Sequence, residues 1–539
     1  MAIAGAAAEF VVLDQQPFNV VEAPSFENLL RVAANDASLQ APSRHDVSTK
    51  VSAMAKEAEG KLRDMLKGTH PALTTDCWTS TSGTPFMAVT AHWIPEDKPE
   101  LVSTTLTCSE FRGSHTAERL ADRINEVMSQ FGIKDTTVAL TTDTAANIKK
   151  AGKQLLRPEW HGCTCHLLQL CALKILNEPH VKVTFAKHNR LTGHLHSSSA
   201  ATEKLNALQK AAELPERTIP TSCPTRWNSA YEQGLRVLNN KFCVQQLCAR
   251  LKTEKKLDLV YTEDDWANTN AVVEVLKPFC NATEVMQGDF ITNSMMPMLA
   301  STLHVFCITK AAALQLPQHI RKVADKMFED VEDRFYPPSD CAMIASVCDP
   351  RVKKLSWCDK SEKRKYRDLT VKAIVTVIPD VHEKGNVPAT GVSDQPETGA
   401  SDQPASTDLR RKKPLNKAAL LFSQMLTVSA LAADSDDDDV APRSAAAVLA
   451  ERRTAAGYEL ERYLQSEGMA ATSSSQDVLD WWFEKRLIYP VLYRVACIYL
   501  AVPASSGSSE RVFSAAGNIV TKKRNRLCAD SVNNLVFLH

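Results

Sequence analysis

Two aspartates fall on predicted strands and could share a metal ion. Asp76 lies in "PALTTDCWTS" and Asp143 ends "TTVALTTD", two short segments rich in Thr. If the first strand is central in its sheet, the two strands can be neighbours, and adjacent carboxylates repel each other unless a divalent cation binds them. Two Mg²⁺ or Mn²⁺ ions ~3.5–4 Å apart can stabilise the attacking and leaving oxygens of a phosphodiester. A third acid, from a helix, would complete such a site.

The same residues also have a simpler interpretation. An Asp after a strand is most often a turn residue or a helix N-cap, and Asp143 precedes "TAANIKKA", which it could cap. A further carboxylate, Glu510, stands alone among small residues in "VPASSGSSERVFSAAGNIVTKKRNRL". Composition and spacing leave these alternatives open.

The order of strands and helices predicted around these residues indicates an α/β fold. "PFMAVTAHWIP" and "LVSTTLTCSEF" are two further strands, so that the order is three strands, helix, strand, helix, strand, helix. This order is typical of a layered α/β unit with a mixed sheet. Helical patterns follow from about 236 to 375, and the Pro/Gly/Ser-rich segment around 380–445, with its "DSDDDD" run, predicts a disordered linker. Helices then resume to the end of the chain.

Composition excludes several classes of protein. The 539 residues contain 63 basic and 63 acidic side chains, so any nucleic-acid contact must come from local patches. The 15 cysteines are scattered and form no CxxC pair, which argues against a disulfide framework or a ribbon-type zinc site. We therefore expect a reduced, intracellular protein without structural zinc, signal peptide or membrane span.

Five segments together resemble the hAT transposase superfamily, in the branch that contains BED-type zinc-finger proteins. They are "DCWTSTSGTPFMAVTAHWI", "LTTDTAANIKKA", "CTCHLLQL", "TRWNSAYEQGLRVL" and "YPVLYRVACIYLAVPASSGSSERVFSAAGNIVTKKRNRL". The segment "VCDPRVKKL" also resembles the family's insertion region. The resemblance implies an RNase H-like mixed-sheet core interrupted by a large all-α insertion, with a C-terminal helical dimerisation region that completes the core.

The resemblance also implies a role for the lone glutamate. Asp76, Asp143 and Glu510 match the family's three catalytic acids, which hold two Mg²⁺ ions for DNA cleavage and strand transfer. Carboxylates suit this chemistry because hard cations prefer oxygen ligands. Mg²⁺ or Mn²⁺ is thus the cofactor we expect if the chain is catalytically active.

Other matched residues have implied roles beside plainer alternatives. Cys163 and His166 match a CxxH motif, which we interpret as structural packing, because two ligands cannot close a tetrahedral zinc site. Arg226 and Trp227 match an RW motif implied to contact DNA, although a Trp is more often a core aromatic. A C-terminal basic cluster could contact phosphates or form a solvated helix face. Its members are Lys522, Lys523, Arg524 and Arg526.

The C-terminal segment corresponds to the family's dimerisation region. An apolar set in it either joins two copies of the chain or belongs to an ordinary buried helix. Its members are Tyr489, Leu492, Val495, Ile498, Leu500 and Phe513. The basic clusters "RRKK" and "KRKYR" are candidate nuclear-localisation signals and predict a nuclear protein.

One departure from the family concerns the BED finger. Such a finger needs paired Cys and His near the N-terminus, and the first cysteine is Cys77, inside the predicted core. We expect either a fragment or shortened isoform, or an ancestor that lost the finger.

The predicted organisation is a helical N-terminal segment (1–70), the first part of the core (71–235), the all-α insertion (236–378), the linker (379–445) and the C-terminal dimerisation region (446–539). The predicted function is a transposase-derived nuclear protein that dimerises and binds DNA or chromatin partners. The alternative is an active DNA transposase that uses the acid triad.

Overall fold

The computed structural model describes residues 2–80, 83–223, 226–383, 447–520 and 527–538, and it is a mixed α/β structure. The strands are β1 (Ala72–Thr79), β2 (Pro85–Trp93), β3 (Val102–Glu110), β4 (Ala139–Thr142) and β5 (Glu159–Gly162). The first ten α-helices are α1 (Ala2–Leu13), α2 (Pro24–Ala34), α3 (Arg44–Leu66), α4 (Ala117–Gln130), α5 (Ala146–Lys150), α6 (Thr164–Leu176), α7 (Pro179–Ser197), α8 (Ser199–Ala211), α9 (Trp227–Asn239) and α10 (Lys241–Thr253). The remaining ones are α11 (Glu263–Met286), α12 (Met296–Ala312), α13 (Gln318–Phe335), α14 (Asp340–Cys348), α15 (Lys360–Glu383), α16 (Ala447–Gln465), α17 (Ser475–Lys485), α18 (Pro490–Leu500), α19 (Gly507–Ile519) and α20 (Ala529–Leu538).

The five strands form one mixed sheet in the order β3-β2-β1-β4-β5. The first three strands pair antiparallel as consecutive neighbours, and β4 and β5 are parallel to β1. A parallel neighbour requires a crossover connection, which α4 provides between β3 and β4. The first strand is central in this sheet and adjoins the strand before Asp143, so the condition on which the pairing of the two aspartates depended is met.

Both faces of the sheet are covered by helices. On one face, Leu120, Ile124 and Val127 of α4 are buried in the same cluster as Leu73 and Val89 of the sheet. The three α4 residues recur at helical spacing, so their burial gives α4 one apolar side. The 3.6-residue period in the sequence and the position of the helix therefore agree.

The other face is covered by helices from both ends of the chain. Phe86 and Ala88 of β2 share a buried cluster with Val51 of α3 and with Val512 and Ile519 of α19. The last helix, α20, contacts both α3 and β3. The sheet is thus completed by residues more than 400 positions away in the sequence.

From Trp227 to Glu383 the described regular elements are helical. Their core includes Val272, Leu276, Phe279 and Met298, all with at most 1% exposed surface. Asn293–Ala312 is long and apolar enough to cross a membrane, but half of it is buried within the protein. We interpret this segment as a core helix.

A buried polar cluster attaches the C-terminal region to these helices. Arg351 donates hydrogen bonds to both carboxylate oxygens of Asp349, at 2.6 and 2.9 Å, and a third to the Ser473 carbonyl at 3.3 Å. Lys353 Nζ donates to the Tyr463 carbonyl at 2.6 Å. Asp349, Arg351 and Lys353 belong to "VCDPRVKKL". This segment therefore links α14 to α16 and to the loop that follows α16.

Several predictions fall on residues that the structure does not describe. The linker prediction concerns mainly residues 384–446, and the basic cluster Lys522, Lys523, Arg524 and Arg526 lies within 521–526. Both lie outside the described residues and stay predictions, as do the domain boundaries.

Candidate functional site

The register of the sheet places the two aspartates side by side. In the parallel β1–β4 pair, Leu73 is level with Leu140 and Thr74 with Thr141. Two residues further along each chain are Asp76 and Asp143. The two aspartates therefore lie on neighbouring parallel strands, Asp76 within β1 and Asp143 directly after β4.

The two aspartates line the same cavity of about 270 Å³, together with His115, Asn147 and other residues at the start of α5. Asp143 Oδ1 also accepts a hydrogen bond from the Ala145 N–H at 3.1 Å. The turn role that the sequence left open is therefore present. It does not remove Asp143 from the cavity, so the two interpretations are compatible.

Glu510 lies in the first turn of α19, and the preceding residue, Ser509, is hydrogen-bonded to β1. The Ser509 and Thr74 hydroxyls lie 2.7 Å apart, and Thr74 is in turn 2.5 Å from the Thr90 hydroxyl. The chain of bonds ends at His92 Nε2, 2.8 Å from Thr90, where burial lowers the pKa of His92 to about 3. This buried chain fixes the backbone of Glu510 onto the central strand, two residues before Asp76.

The electrostatics of Asp76 show that the acids share one environment. The pKa of Asp76 is raised to about 7, mainly by burial and to a smaller extent by the charges of Asp143, Glu510 and Cys163, while a 2.7 Å hydrogen bond from the Cys77 N–H opposes the rise. Like charges act in this way only at short range in a screened medium. The Ser509–Thr74 contact is the geometric counterpart, since it places Glu510, an exposed residue, next to a helix position that touches β1 two residues before Asp76.

The three side chains fit a divalent metal. They are hard oxygen donors, the ligands that Mg²⁺ prefers, and the mutual repulsion recorded at Asp76 is what a cation relieves. Within the described part of the chain, the groups with three ligand atoms all within 4.8 Å of one another lie elsewhere. The three acids are thus more widely spaced, which is compatible with a pair of ions ~3.5–4 Å apart.

The CxxH motif lies where the sheet, α6 and the segment before α19 meet. The Cys163 N–H donates to the Thr142 carbonyl at 2.6 Å, and Cys163 Sγ accepts from the Ser506 N–H at 3.4 Å. A hydrogen bond from Cys165 is the main cause that lowers the pKa of Cys163 to about 6. His166 is half-buried on α6. These contacts support the packing role that we preferred to zinc ligation.

The RW motif begins α9. Arg226 is exposed, whereas Trp227 is only 4% exposed and belongs to the cluster that contains Tyr231 and Phe279. Trp227 is thus a core aromatic, the alternative that the sequence left open. DNA contact by these residues stays a prediction, and for Trp227 it would require the ring to leave the core.

The predicted dimerisation residues lie mostly inside the protomer. Those that are buried are Tyr489, Leu492, Val495, Leu500 and Phe513. Ile498 is partly buried against the same cluster as Leu492, and Phe513 stacks on Trp78 with ring centroids 5.8 Å apart. An ordinary buried helix therefore explains this apolar pattern, and contact between copies requires other residues.

Sequence reasoning missed the residues that support the acids. Thr74, Thr90 and Ser509 are buried polar residues whose partners are distant in sequence, so no local pattern identifies them. Two exposed lysines were also missed. Lys149 and Lys153 lie just after Asp143 and place their ammonium groups over the Trp160 ring, at 5.9 and 5.2 Å.

Two regions of the chain match known protein families. Residues 74–161 match the ZBED1 RNase-like domain, and residues 459–539 match the hAT family C-terminal dimerisation region. The chain is a homologue of hAT transposases and BED zinc-finger proteins. The first matched region contains Asp76 and Asp143, and the second contains Glu510.

Individual relatives extend the similarity of this hAT homologue over most of its length. It is 24% identical to the "Putative AC transposase" of Zea mays over 98% of this chain and 63% of that protein. It is 21% identical to human "Zinc finger BED domain-containing protein 4" over 98% of this chain and 42% of that protein. It is 23% identical to the "Transposable element Hobo transposase" of Drosophila melanogaster over 94% of this chain and 77% of that protein.

The chain spans between 60% and 64% of the length of the first three curated relatives it matches. The activities and partners of those whole proteins are therefore carried to this chain only as proposals.

Proposed function

We propose that this hAT homologue is a nuclear DNA-binding protein of transposase origin, which self-associates and retains a metal-dependent DNA-cleaving site. The cleavage part is supported by the β1–β4 register and shared cavity of Asp76 and Asp143, and by the Ser509–Thr74 contact beside Glu510. Self-association is supported by the match of residues 459–539 to a dimerisation region.

The proposed fold is an RNase H-like core interrupted by an all-α insertion. Three antiparallel strands followed by two parallel ones, with β1 in the centre, support this core. In the sequence, the helices from Trp227 to Glu383 lie between the strands and α19. In the fold, α19 contacts β1, β2 and β3. In this arrangement the third acid comes from the far end of the chain, beyond the intervening helices.

The chain's own residues suit phosphodiester cleavage. The three carboxylates would hold Mg²⁺ or Mn²⁺, which would supply activation of water and neutralisation of the leaving oxygen. Asp143 is oriented by the Ala145 N–H, and Glu510 by the Ser509–Thr74 bond. Preorganised acids of this kind need no rearrangement at the moment of reaction.

Contact with DNA would use local basic residues, because the net charge is zero. Lys149 and Lys153 are exposed and lie one to three turns beyond Asp143. They line the cavity beside Trp160 rather than the one that contains Asp76 and Asp143, so they are candidates for phosphate contacts next to the acid site and not within it. Arg226, exposed at the start of α9, is a further candidate.

The test is nicking of supercoiled plasmid by the purified chain in Mn²⁺, which needs no cognate site. Asp143→Asn and Glu510→Gln run beside Asp135→Asn and Glu484→Gln, two matched changes at exposed acids. We expect nicking by the wild type and both controls, with at least about a 100-fold loss in each triad variant. Equal rates in all five proteins would contradict the proposed catalytic site.

The alternative is a transposase-derived protein that binds DNA without cleaving it. It is favoured by similarity to a "Putative transcriptional regulator tpeD" of Talaromyces stipitatus, at 23% identity over 98% of this chain. Fluorescence anisotropy with labelled duplex DNA distinguishes the two proposals. Binding that survives while wild-type nicking equals that of Glu510→Gln would favour the alternative.

A further inference from the structure

A second group of potential metal ligands lies outside the acid site. Glu159 and His161 are two residues apart on β5, so their side chains lie on the same face of the strand. Cys341, near the start of α14, lies against them, with Sγ 2.9 Å from Glu159 Oε2. One ligand atom from each of the three side chains lies within 4.8 Å of the other two.

An unsatisfied polar atom points to a missing ligand at this group. His161 is 8% exposed, and its Nε2 is buried without a hydrogen-bond partner. A buried nitrogen in this state costs free energy unless something occupies its lone pair or accepts its proton. Other buried histidines with a free Nε2, such as His304, belong to no such three-ligand group among the described residues.

The site has room for a fourth ligand. Glu159 and His161 line a cavity of about 670 Å³, whose wall also includes Ser339 and Tyr336. A cavity of this size holds water, so a solvent molecule can complete the coordination. Glu159 and His161 therefore face a wet cavity, and Cys341 lies buried behind them against Glu159.

We propose that Glu159, His161 and Cys341 bind a zinc ion, with water from the cavity as the fourth ligand. Carboxylate oxygen, imidazole nitrogen and thiolate sulfur are the donors that zinc prefers, at about 2.0–2.3 Å from the metal. In a tetrahedron these lengths separate the ligand atoms by roughly 3–4 Å, which is comparable with the observed cluster. One carboxylate and one thiolate also neutralise the charge of Zn²⁺ in this buried place.

The protonation states of the metal-free group are consistent with such a site. Burial lowers the pKa of His161, so its imidazole is neutral and ready to bind. Burial and the charge of Glu159 raise the pKa of the Cys341 thiol well above its ordinary value. Zinc binding therefore displaces one proton from Cys341, and the affinity should rise with pH.

The site would join two parts of the molecule. β5 is an edge strand of the sheet, and α14 belongs to the helices that follow α13. Cys341 and Glu159 are 182 residues apart, which is why no sequence motif with zinc spacing predicted a structural zinc. A metal at this position would fix the edge of the sheet against α14, independently of the acid triad.

Another three-ligand group, Glu178, His180 and His319, does not carry the same inference. His180 Nδ1 is paired with Glu178 at 2.9 Å, and His319 Nε2 with Asn268 Oδ1 at 2.9 Å. Glu178 also accepts a hydrogen bond from the Val181 N–H as the cap of α7.

The test is titration of the purified full chain with Co²⁺, which reports thiolate ligation by a sulfur-to-cobalt charge-transfer band. We expect this band in the wild type and its displacement by Zn²⁺. Cys341→Ser should abolish the band, and His161→Gln should weaken Co²⁺ binding by more than the roughly 10–100-fold that a lost outer-shell partner costs. Cys223→Ser and Cys528→Ser, at exposed thiols, should leave the band unchanged.

Two further measurements test whether the band is independent of the acid triad and whether zinc stabilises the fold through Cys341. Glu510→Gln should keep the band, because the acid triad contributes no sulfur, so failure of the triad proposal leaves this test intact. Zn²⁺ should raise the Tm of the wild type but not that of Cys341→Ser, provided both show the same metal-free circular dichroism. No charge-transfer band in the wild type, or an equal band in Cys341→Ser, would overturn the proposal.

Discussion

The pKa of Asp76 reflects its burial and the negative charges around it. Its carboxyl group lies on the central strand, lines one cavity with Asp143, and is largely shielded from water. A cation would stabilise the ionised form of all three acids at once. Without one, the ionised form of Asp76 is unfavourable at neutral pH, and this has a measurable consequence for folding.

The metal-free protein should lose stability as the pH rises, through Asp76. Its pKa is raised from an ordinary value near 4 to about 7 in the fold. The protonated form is thus favoured on folding, and its contribution is fully present below about pH 4 and lost as the pH rises through about 7. Three pKa units correspond to up to about 4 kcal/mol.

Urea unfolding of the wild type and Asp76→Asn between pH 4 and pH 8 measures this contribution. We expect Asp76→Asn to become increasingly more stable than the wild type as the pH rises. Asp135→Asn, at an exposed acid, should follow the wild type. Parallel pH profiles for the wild type and Asp76→Asn would mean that Asp76 is not buried among like charges.

The Ser509 hydroxyl has a positioning role that sequence reasoning did not identify. Ser509→Ala removes the 2.7 Å contact with Thr74 and should cost about 1 kcal/mol of unfolding free energy. Because the contact fixes the backbone beside Glu510, nicking in Mn²⁺ should fall while the affinity for duplex DNA stays the same. Ser129→Ala, at an exposed serine of α4 that bonds only its own helix in the described contacts, is the control. Unchanged nicking by Ser509→Ala would show that this contact does not position the acid.

At the scale of elements, the buried cluster around Asp349 connects the helices to the C-terminal region. Asp349 is fully buried, and its carboxylate accepts hydrogen bonds from Arg351 and, at 2.7 Å, from Ser294. Asp349→Ala leaves the Arg351 guanidinium buried without its partner. We therefore expect a loss of about 3–5 kcal/mol of unfolding free energy.

Chemical denaturation of Asp349→Ala and of Asp325→Ala, at an exposed acid of α13, tests this expectation. The control should stay within about 0.5 kcal/mol of the wild type. A loss below about 1 kcal/mol in Asp349→Ala would show that the cluster does not hold the C-terminal region in place.

Local sequence patterns predicted the elements better than the contacts between them. Strands β1 to β3 and helix α4 follow from Thr- and Val-rich segments and a helical apolar stripe, whereas the central place of β1 could only be assumed, because strand order depends on contacts that no local pattern contains. The apolar face of α18 was ambiguous, because burial within one protomer and burial between two produce the same pattern. The triad required the family resemblance, since Glu510 and Asp76 meet only through the fold. The Glu159–His161–Cys341 group gave no sequence signal at all.

At the scale of the whole molecule, self-association must use residues that the folded chain leaves exposed. Leu487 is 84% exposed and Ile488 is 43% exposed, and both precede α18 within the region matched to hAT dimerisation. Large apolar side chains that are this exposed side by side are typical of an interface. We expect Leu487→Glu to weaken association of two copies.

Light scattering after size-exclusion chromatography measures the effect. The wild type should give the mass of an assembly, and Leu487→Glu a mass closer to the protomer at the same concentration. Leu314→Glu is a matched control, because Leu314 is 82% exposed but lies outside the matched region. An equal mass for Leu487→Glu and the wild type would place the interface elsewhere.

In the proposed site, three acids from distant parts of the chain bind metal together. Mn²⁺ binding, followed by the electron paramagnetic resonance signal of free Mn²⁺, tests it without requiring catalysis. We expect Asp143→Asn and Glu510→Gln each to weaken binding by about tenfold or more, and the double variant to lose little further affinity, since groups in one site are not additive. Exposed-acid controls Asp135→Asn and Glu484→Gln should bind like the wild type. If Glu510→Gln also binds Mn²⁺ like the wild type, the acid on α19 is not part of the site, and the account is wrong.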